Sequence, residues 1–161
     1  MSAAFTVSEA AALAEGLRAA GRRVVLANGV FDLLHVGHIR YLVAARALGD
    51  VLFVGLNSDA SVRRLKGPGR PVMPQEERAE LLAALRAVDH VVVFDEDTAD
   101  ALLHALKPHV HAKGTDYTQD SVPERATARA LGASIAITGD PKSHATRDLI
   151  ATIAERFGAK A

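Results

Sequence analysis

Apolar, β-branched runs alternate along this chain with alanine- and leucine-rich stretches whose apolar positions recur at helical spacing. The continuous runs predict strands over 22–28, 51–56, 90–94, 110–113 and 134–138. The periodic stretches predict helices over 8–20, 37–48, 60–66, 75–86, 99–106, 123–131 and 146–157. Ser8 is the expected cap of the first helix and Gly21 its stop. Leu81, Leu82 and Leu85 are expected to form one apolar face of the helix over 75–86. Strands that are apolar throughout and separated by helices imply an α/β fold, a five-stranded parallel sheet covered on both faces. Such sheets bind ligands beyond the C-terminal strand ends, near the switch in strand order. The loops after Asn28, Leu56, Phe94, Lys113 and Thr138 are therefore the places to look.

The 161 residues suit one domain, with a core over about 22–157 and no repeat or linker. The breaker-rich stretch Gly67-Pro-Gly-Arg-Pro71 is too short to separate domains and reads as an active-site loop. A net charge of zero leaves no global field for a polynucleotide or an acidic membrane. The absence of cysteine excludes disulfides, a thiolate zinc site and a cysteine nucleophile. Glu9 and Glu15 interrupt the N-terminal stretch, which has no basic segment before an apolar run, so a secretory signal is not expected. With no apolar run of about 18 residues, the expected location is the cytoplasm.

The most informative segment is Asn28-Gly-Val-Phe-Asp-Leu-Leu-His-Val-Gly-His38, at the end of the first predicted strand. His35 and His38 are three apart at a predicted helix start, so both can face one ligand. Gly37 leaves no side chain between them. A helix N-terminus adds free N–H groups and partial positive charge, and two imidazoles beside it suit a phosphate chain. The competing reading is a zinc pair completed by His109 or His111, although no acid lies within 35–38.

This segment resembles the His-x-Gly-His signature of the nucleotidyltransferase superfamily, with its Gly-x-Phe-Asp lead-in. Val54-Gly-Leu-Asn-Ser-Asp59 resembles the family's second strand end. Lys113-Gly-Thr-Asp-Tyr117, with Pro123-Glu124 beyond, resembles the Lys-Gly-Gly-Asp-Tyr stretch of heptose 1-phosphate adenylyltransferases, with Thr115 at the second glycine. Ser143-His-Ala-Thr-Arg-Asp148 departs from the family's hydroxyl-rich run; Thr146 keeps one hydroxyl, and His144 and Arg147 offer cations instead.

The resemblance implies a single Rossmann-like three-layer domain and direct in-line displacement on an NTP, without a covalent intermediate. It implies His35, His38 and Lys66 as catalytic residues, with Asn28, Gly29, Val30, Phe31, Gly37, Lys113 and Thr146 around the nucleotide. Asp32, Asn57, Asp59, Arg70, Asp116 and Tyr117 are the expected contacts to the acceptor. Mg²⁺ is expected to accompany ATP, with its protein ligands unassigned, and a homodimer is implied. The favoured reaction joins AMP to heptose 1-phosphate. A cytidylyltransferase acting on glycerol 3-phosphate or a related alcohol phosphate, and a non-catalytic nucleotide sensor, are the alternatives.

Overall fold

The computed structural model describes residues 4–141 and 143–158, so positions 1–3 of the N-terminal stretch lie outside it. The elements run α1 (Val7–Ala19), β1 (Val24–Gly29), α2 (Val36–Arg46), β2 (Val51–Asn57), α3 (Asp59–Lys66) and α4 (Gln75–Ala83). They continue with β3 (His90–Phe94), α5 (Asp100–Leu106), β4 (Val110–Gly114), α6 (Arg125–Ala130), β5 (Ser134–Thr138) and α7 (Thr146–Phe157). The five strands form one sheet in the order β3-β2-β1-β4-β5, with every pair parallel. The predicted α/β, Rossmann-like architecture is the observed one.

Side chains alternate across a strand, and this period of two sorts the apolar runs into two cores. Val25, Ala27, Leu52, Val54 and Val91 face one side, against Leu42 and Ala45 of α2 and Leu82 of α4. Val24, Leu26, Phe53 and Val92 face the other, against Ala10 and Ala14 of α1 and Leu102 and Leu106 of α5. A strand buried on both faces has no polar positions to show, hence the continuous runs.

Three local expectations need correction. The cap of α1 is Thr6, whose hydroxyl accepts from Glu9 N–H while Glu9 accepts from Thr6 N–H at 2.8 Å. Phe5, just before it, bridges to β3 and donates to the Val91 carbonyl at 2.8 Å. α4 ends at Ala83, and Leu81 is exposed while Leu82 is fully buried. Adjacent helical residues lie about 100° apart, so the two leucines do not share a face. α7 buries none of its residues and leaves Leu149, Ile153 and Phe157 exposed. Among the described residues no helix is long and apolar enough to cross a membrane.

The chain adds β2 and β3 on one side of β1, then crosses to lay β4 and β5 on the other. The loops after β1 and β4 thus diverge and open a crevice at the C-terminal strand ends. One wall of it is fixed by Arg78 of α4, which has no access to water. Its guanidinium donates to the carbonyls of Met73, Val30 and Asn57 and, at 2.7 Å, to the Asp59 carboxylate. Three chain segments are joined at one side chain. Removing one partner of a buried ion pair strands the other, at a cost of about 3 kcal/mol or more. Urea unfolding of Arg78→Met should show a loss near that size; a loss below about 1 kcal/mol would mean that the clamp contributes no more than a surface pair.

Candidate active site

The cleft above β1 and β4 has a volume of about 750 Å³, the size expected for a small-molecule site. Every residue expected at the site borders it except Asp59. Asp59 is drawn away because its carboxylate pairs with Arg78 at 2.7 Å. Asn57 borders the cleft, but its amide donates to Ser61 Oγ and the Glu96 carbonyl, so its side chain serves the wall.

β1 ends in a loop where Phe31 and Leu33 both take left-handed conformations, with φ of 49° and 52°. Non-glycine residues seldom do so, and such strain gathers at functional loops. The loop turns Phe31 inward, with its ring 5.3 Å from that of His38 and stacked 6.3 Å from Tyr41. Tyr41, not anticipated from sequence, is buried and donates to the Ala112 carbonyl at 2.8 Å, joining α2 to β4.

His35 caps α2. Its Nδ1 accepts Gly37 N–H at 3.1 Å, and Nδ1 of His38 accepts His35 N–H at 3.3 Å. The two rings stack with centroids 3.8 Å apart. A Cβ on Gly37 would lie 2.9 Å from His35 Cε1, so only glycine fits this cap without displacing the ring. With both Nδ1 atoms accepting, a neutral ring carries its proton on Nε2. Burial, and then the charge of its neighbour His35, lowers the His38 pKa to about 4. Burial followed by His144 lowers that of His35. At neutral pH the pair therefore offers two uncharged N–H donors.

Asp32, in the same loop, is buried. Its carboxylate accepts from Arg70 Nε and Val72 N–H at 2.8 Å each, and from Met73 N–H at 3.1 Å. Burial alone would raise its pKa, but these donors outweigh burial and hold it below the ordinary carboxylate value. The Asp32 carbonyl accepts the Thr146 hydroxyl at 2.7 Å, tying the start of α7 to the same loop. Asp32 thus orders the cleft wall. The C-terminal half of the 67–71 loop is anchored on it, and Lys66 is left exposed at the other end.

Across the cleft, Lys113 at the end of β4 lies 3.3 Å from both Asn28 Oδ1 and Glu124 Oε2. His111 Nε2 lies 3.0 Å from the same Asn28 oxygen. His109 instead accepts Val24 N–H at the opposite end of β4. The histidines are thus spread over three places. Among the described residues no group of three His, Asp or Glu side chains is placed to hold a metal ion.

The cytidylyltransferase-like family matches residues 26–142, which carry both banks of this cleft. The chain belongs to that family. Within it, the chain is 49% identical over 147 residues to the bifunctional protein HldE of Pelobacter propionicus, covering 91% of this chain and 30% of that one. It is 50% identical over 141 residues to the bifunctional protein HldE of Geobacter sulfurreducens, covering 88% and 29%. The chain thus spans just under a third of the length of these relatives. Among solved structures it resembles the lipopolysaccharide core biosynthesis protein from Thermoplasma volcanium. There the TM-score is 0.66 and the identity 28%, covering 76% of this chain and all of that one. As a cytidylyltransferase-like chain, it is a nucleotidyltransferase domain.

The buried histidines give the site a pH signature. His38 and His111, the latter also lowered to about 4 by burial and then by Lys113, take up protons more readily in the unfolded chain, near 6.5. Their contribution to stability is therefore complete above pH 6.5 and is lost as pH falls towards about 4. Urea titrations across that window should show falling unfolding free energy, and His111→Gln should make the decline shallower. Constant stability from pH 7 to about 4.5 would show that the rings are not held neutral.

Proposed function

We propose that this cleft transfers AMP from ATP to D-glycero-D-manno-heptose 1-phosphate, giving ADP-heptose and pyrophosphate. The observation that carries the transfer chemistry is the pair of neutral Nε2–H donors of His35 and His38 at the start of α2. An acceptor phosphate, with a second pKa of about 6, arrives mostly as a dianion and needs no general base. One of its oxygens attacks the α-phosphorus, the bond from that phosphorus to the bridging oxygen breaks, and pyrophosphate leaves with the electron pair. No proton changes hands. The remaining task is to align two anions and to stabilise charge spreading over the phosphate oxygens.

His35 and His38 serve as donors to those oxygens, and Lys66 supplies a cation from the edge of the cleft. α7 has no side-chain cap, so the first N–H groups of its N-terminus remain available beside Thr146 and Arg147, which border the cleft. Magnesium would enter with ATP, held mainly by phosphate oxygens and water, because the described residues offer no preformed ligand cluster. The choice of heptose rests on the Lys113-Gly-Thr-Asp-Tyr117 stretch, supported by the likeness to HldE proteins and to a lipopolysaccharide core biosynthesis protein.

The test is pyrophosphate release from a matrix of NTPs against sugar and alcohol phosphates. ATP with heptose 1-phosphate should lead, and His35→Ala and His38→Ala should each lower kcat by about 10²–10³ with little change in ATP affinity. A lead for CTP with glycerol 3-phosphate would move the substrate assignment to the cytidylyltransferase reading. Nucleotide binding without pyrophosphate from any pair would favour a sensor.

The loop after α3 supplies a second test. Gly67 and Gly69 take φ of 86° and 81°, with open space where a side chain would be, while Arg70 to Met73 is fixed on Asp32. Movement is thereby confined to the end that carries Lys66, which would close over the phosphates and exclude water. ATP with magnesium should protect the chain from tryptic cleavage after Lys66, and Lys66→Ala should lower kcat far more than ATP affinity. Equal cleavage with and without ligand, together with unchanged kcat, would leave the loop a simple connector.

A further inference from the structure

The bank of the cleft opposite the histidines holds an ion pair withdrawn from water. The Lys113 and Glu124 side chains are 5% and 2% exposed, with Nζ 3.3 Å from Oε2. Taking two charges out of water is costly, and the cost is recovered only where further partners satisfy both groups. Here each charge has them. Glu124 Oε1 accepts Ala99 N–H at 3.0 Å, at the start of α5, which has no side-chain cap of its own. Lys113 donates to Asn28 Oδ1 at 3.3 Å and lies 4.7 Å from the centre of the Tyr117 ring. An ammonium has three N–H donors; Asn28 takes one, and Glu124 pairs with Lys113 by charge without a hydrogen bond to Oε2, which leaves donors for the cleft that Lys113 borders. A lysine stem is flexible, so this aim depends on what holds Nζ.

We infer that Glu124 is a positioning residue that keeps Lys113 charged and aimed at an anionic oxygen of the bound substrates. The inference rests on reading the cleft as a site of phosphate-ester transfer. Burial pulls the Lys113 pKa below its ordinary value, and the adjacent Glu124 carboxylate opposes that pull. Burial alone would raise Glu124, but Lys113 and the Ala99 N–H outweigh it and keep the carboxyl ionised. The other groups facing the pair are Asp100 of α5, His111 of β4, Tyr117 after β4 and Tyr41 of α2. Asp97 borders the same cleft from the loop before α5 but is paired with Arg64 at 2.9 Å. Of these, Glu124 alone makes an ion pair with Lys113. Without its charge, Lys113 would shed its proton at lower pH, and the cleft would lose a cation.

Two readouts test this, one of them independent of turnover. The ¹³Cε resonance of Lys113, assigned by its loss in Lys113→Arg, should titrate about one pH unit or more lower in Glu124→Gln than in the native chain. Glu124→Asp, which keeps the charge, should recover part of that shift. In pyrophosphate release, the alkaline limb of kcat/KM should move down with the lysine in Glu124→Gln, about tenfold in rate for each unit above both midpoints. Lys113→Arg, charged throughout, should abolish the limb. An unmoved lysine midpoint in folded Glu124→Gln overturns the inference, as does a uniform loss of rate with the limb in place. Should Glu124→Gln fail to fold, an alkaline limb that persists in Lys113→Arg overturns it equally. Absence of pyrophosphate with every substrate pair refutes the proposed transfer, and the lysine titration then decides alone for or against the pair.

Discussion

A buried guanidinium must find acceptors for its N–H groups, and Arg78 finds them at the ends of separate chain segments. The Val30 carbonyl belongs to the turn leaving β1, that of Asn57 to the end of β2, and that of Met73 to the approach to α4. None of these carbonyls lies within a helix, so each would need another partner once buried. Arg78 settles them together, and one wall of the cleft becomes a rigid unit. Asp32 extends that unit, accepting Val72 and Met73 N–H from the segment that Arg78 grips through the Met73 carbonyl. The loop carrying Asp32 and His35 and the segment that follows α3 are thereby registered against each other.

The stacked histidines illustrate the same economy. Two imidazolium rings with centroids 3.8 Å apart would repel, and burial penalises the charge further. Neutral rings avoid both costs and still present N–H donors, because the backbone N–H groups of His35 and Gly37 occupy their Nδ1 atoms. The tautomer is fixed by the main chain. A neutral donor also gains strength as negative charge develops on its acceptor, without carrying a desolvated charge before substrate binds.

All five strands and the candidate-site loop after β1 were legible in the sequence because their signals are local. Apolar runs mark strands that are buried on both faces, and His35, Gly37 and His38 lie within four positions at a strand–helix junction. What escaped depends on contacts between distant segments. Arg78 follows the polar run Gln75, Glu76 and Glu77, yet it is fully buried. Asp59 looked like a substrate contact because it follows a strand end, but its partner is nineteen positions away. Glu124 lies beyond the Lys113 stretch, and nothing near it in sequence announces the pairing or the Ala99 N–H that holds it. The α1 cap was misplaced for a subtler reason. Thr6 and Ser8 are both fit to cap, and only Thr6 stands three residues before a glutamate able to return the bond.

A net charge of zero leaves no global field for anions, and the charges along the cleft are instead arranged in fixed local pairs. Arg70 and Lys113 border the cleft, and each is paired with a buried carboxylate that borders it too, Asp32 and Glu124. Each of these carboxylates also accepts from the backbone, from Val72 and Met73 N–H in one case and Ala99 N–H in the other. Its negative charge is therefore partly met by main-chain dipoles, leaving the paired cation less neutralised than in a simple pair. The carboxylates are held in place, because moving away would strand those N–H groups in the interior. The cations in turn are oriented before any ligand arrives. Fixed dipoles and charges that need no rearrangement during reaction stabilise transferring phosphoryl groups most effectively, and a neutral chain can build such a field where the main chain holds its acids and the acids hold its bases.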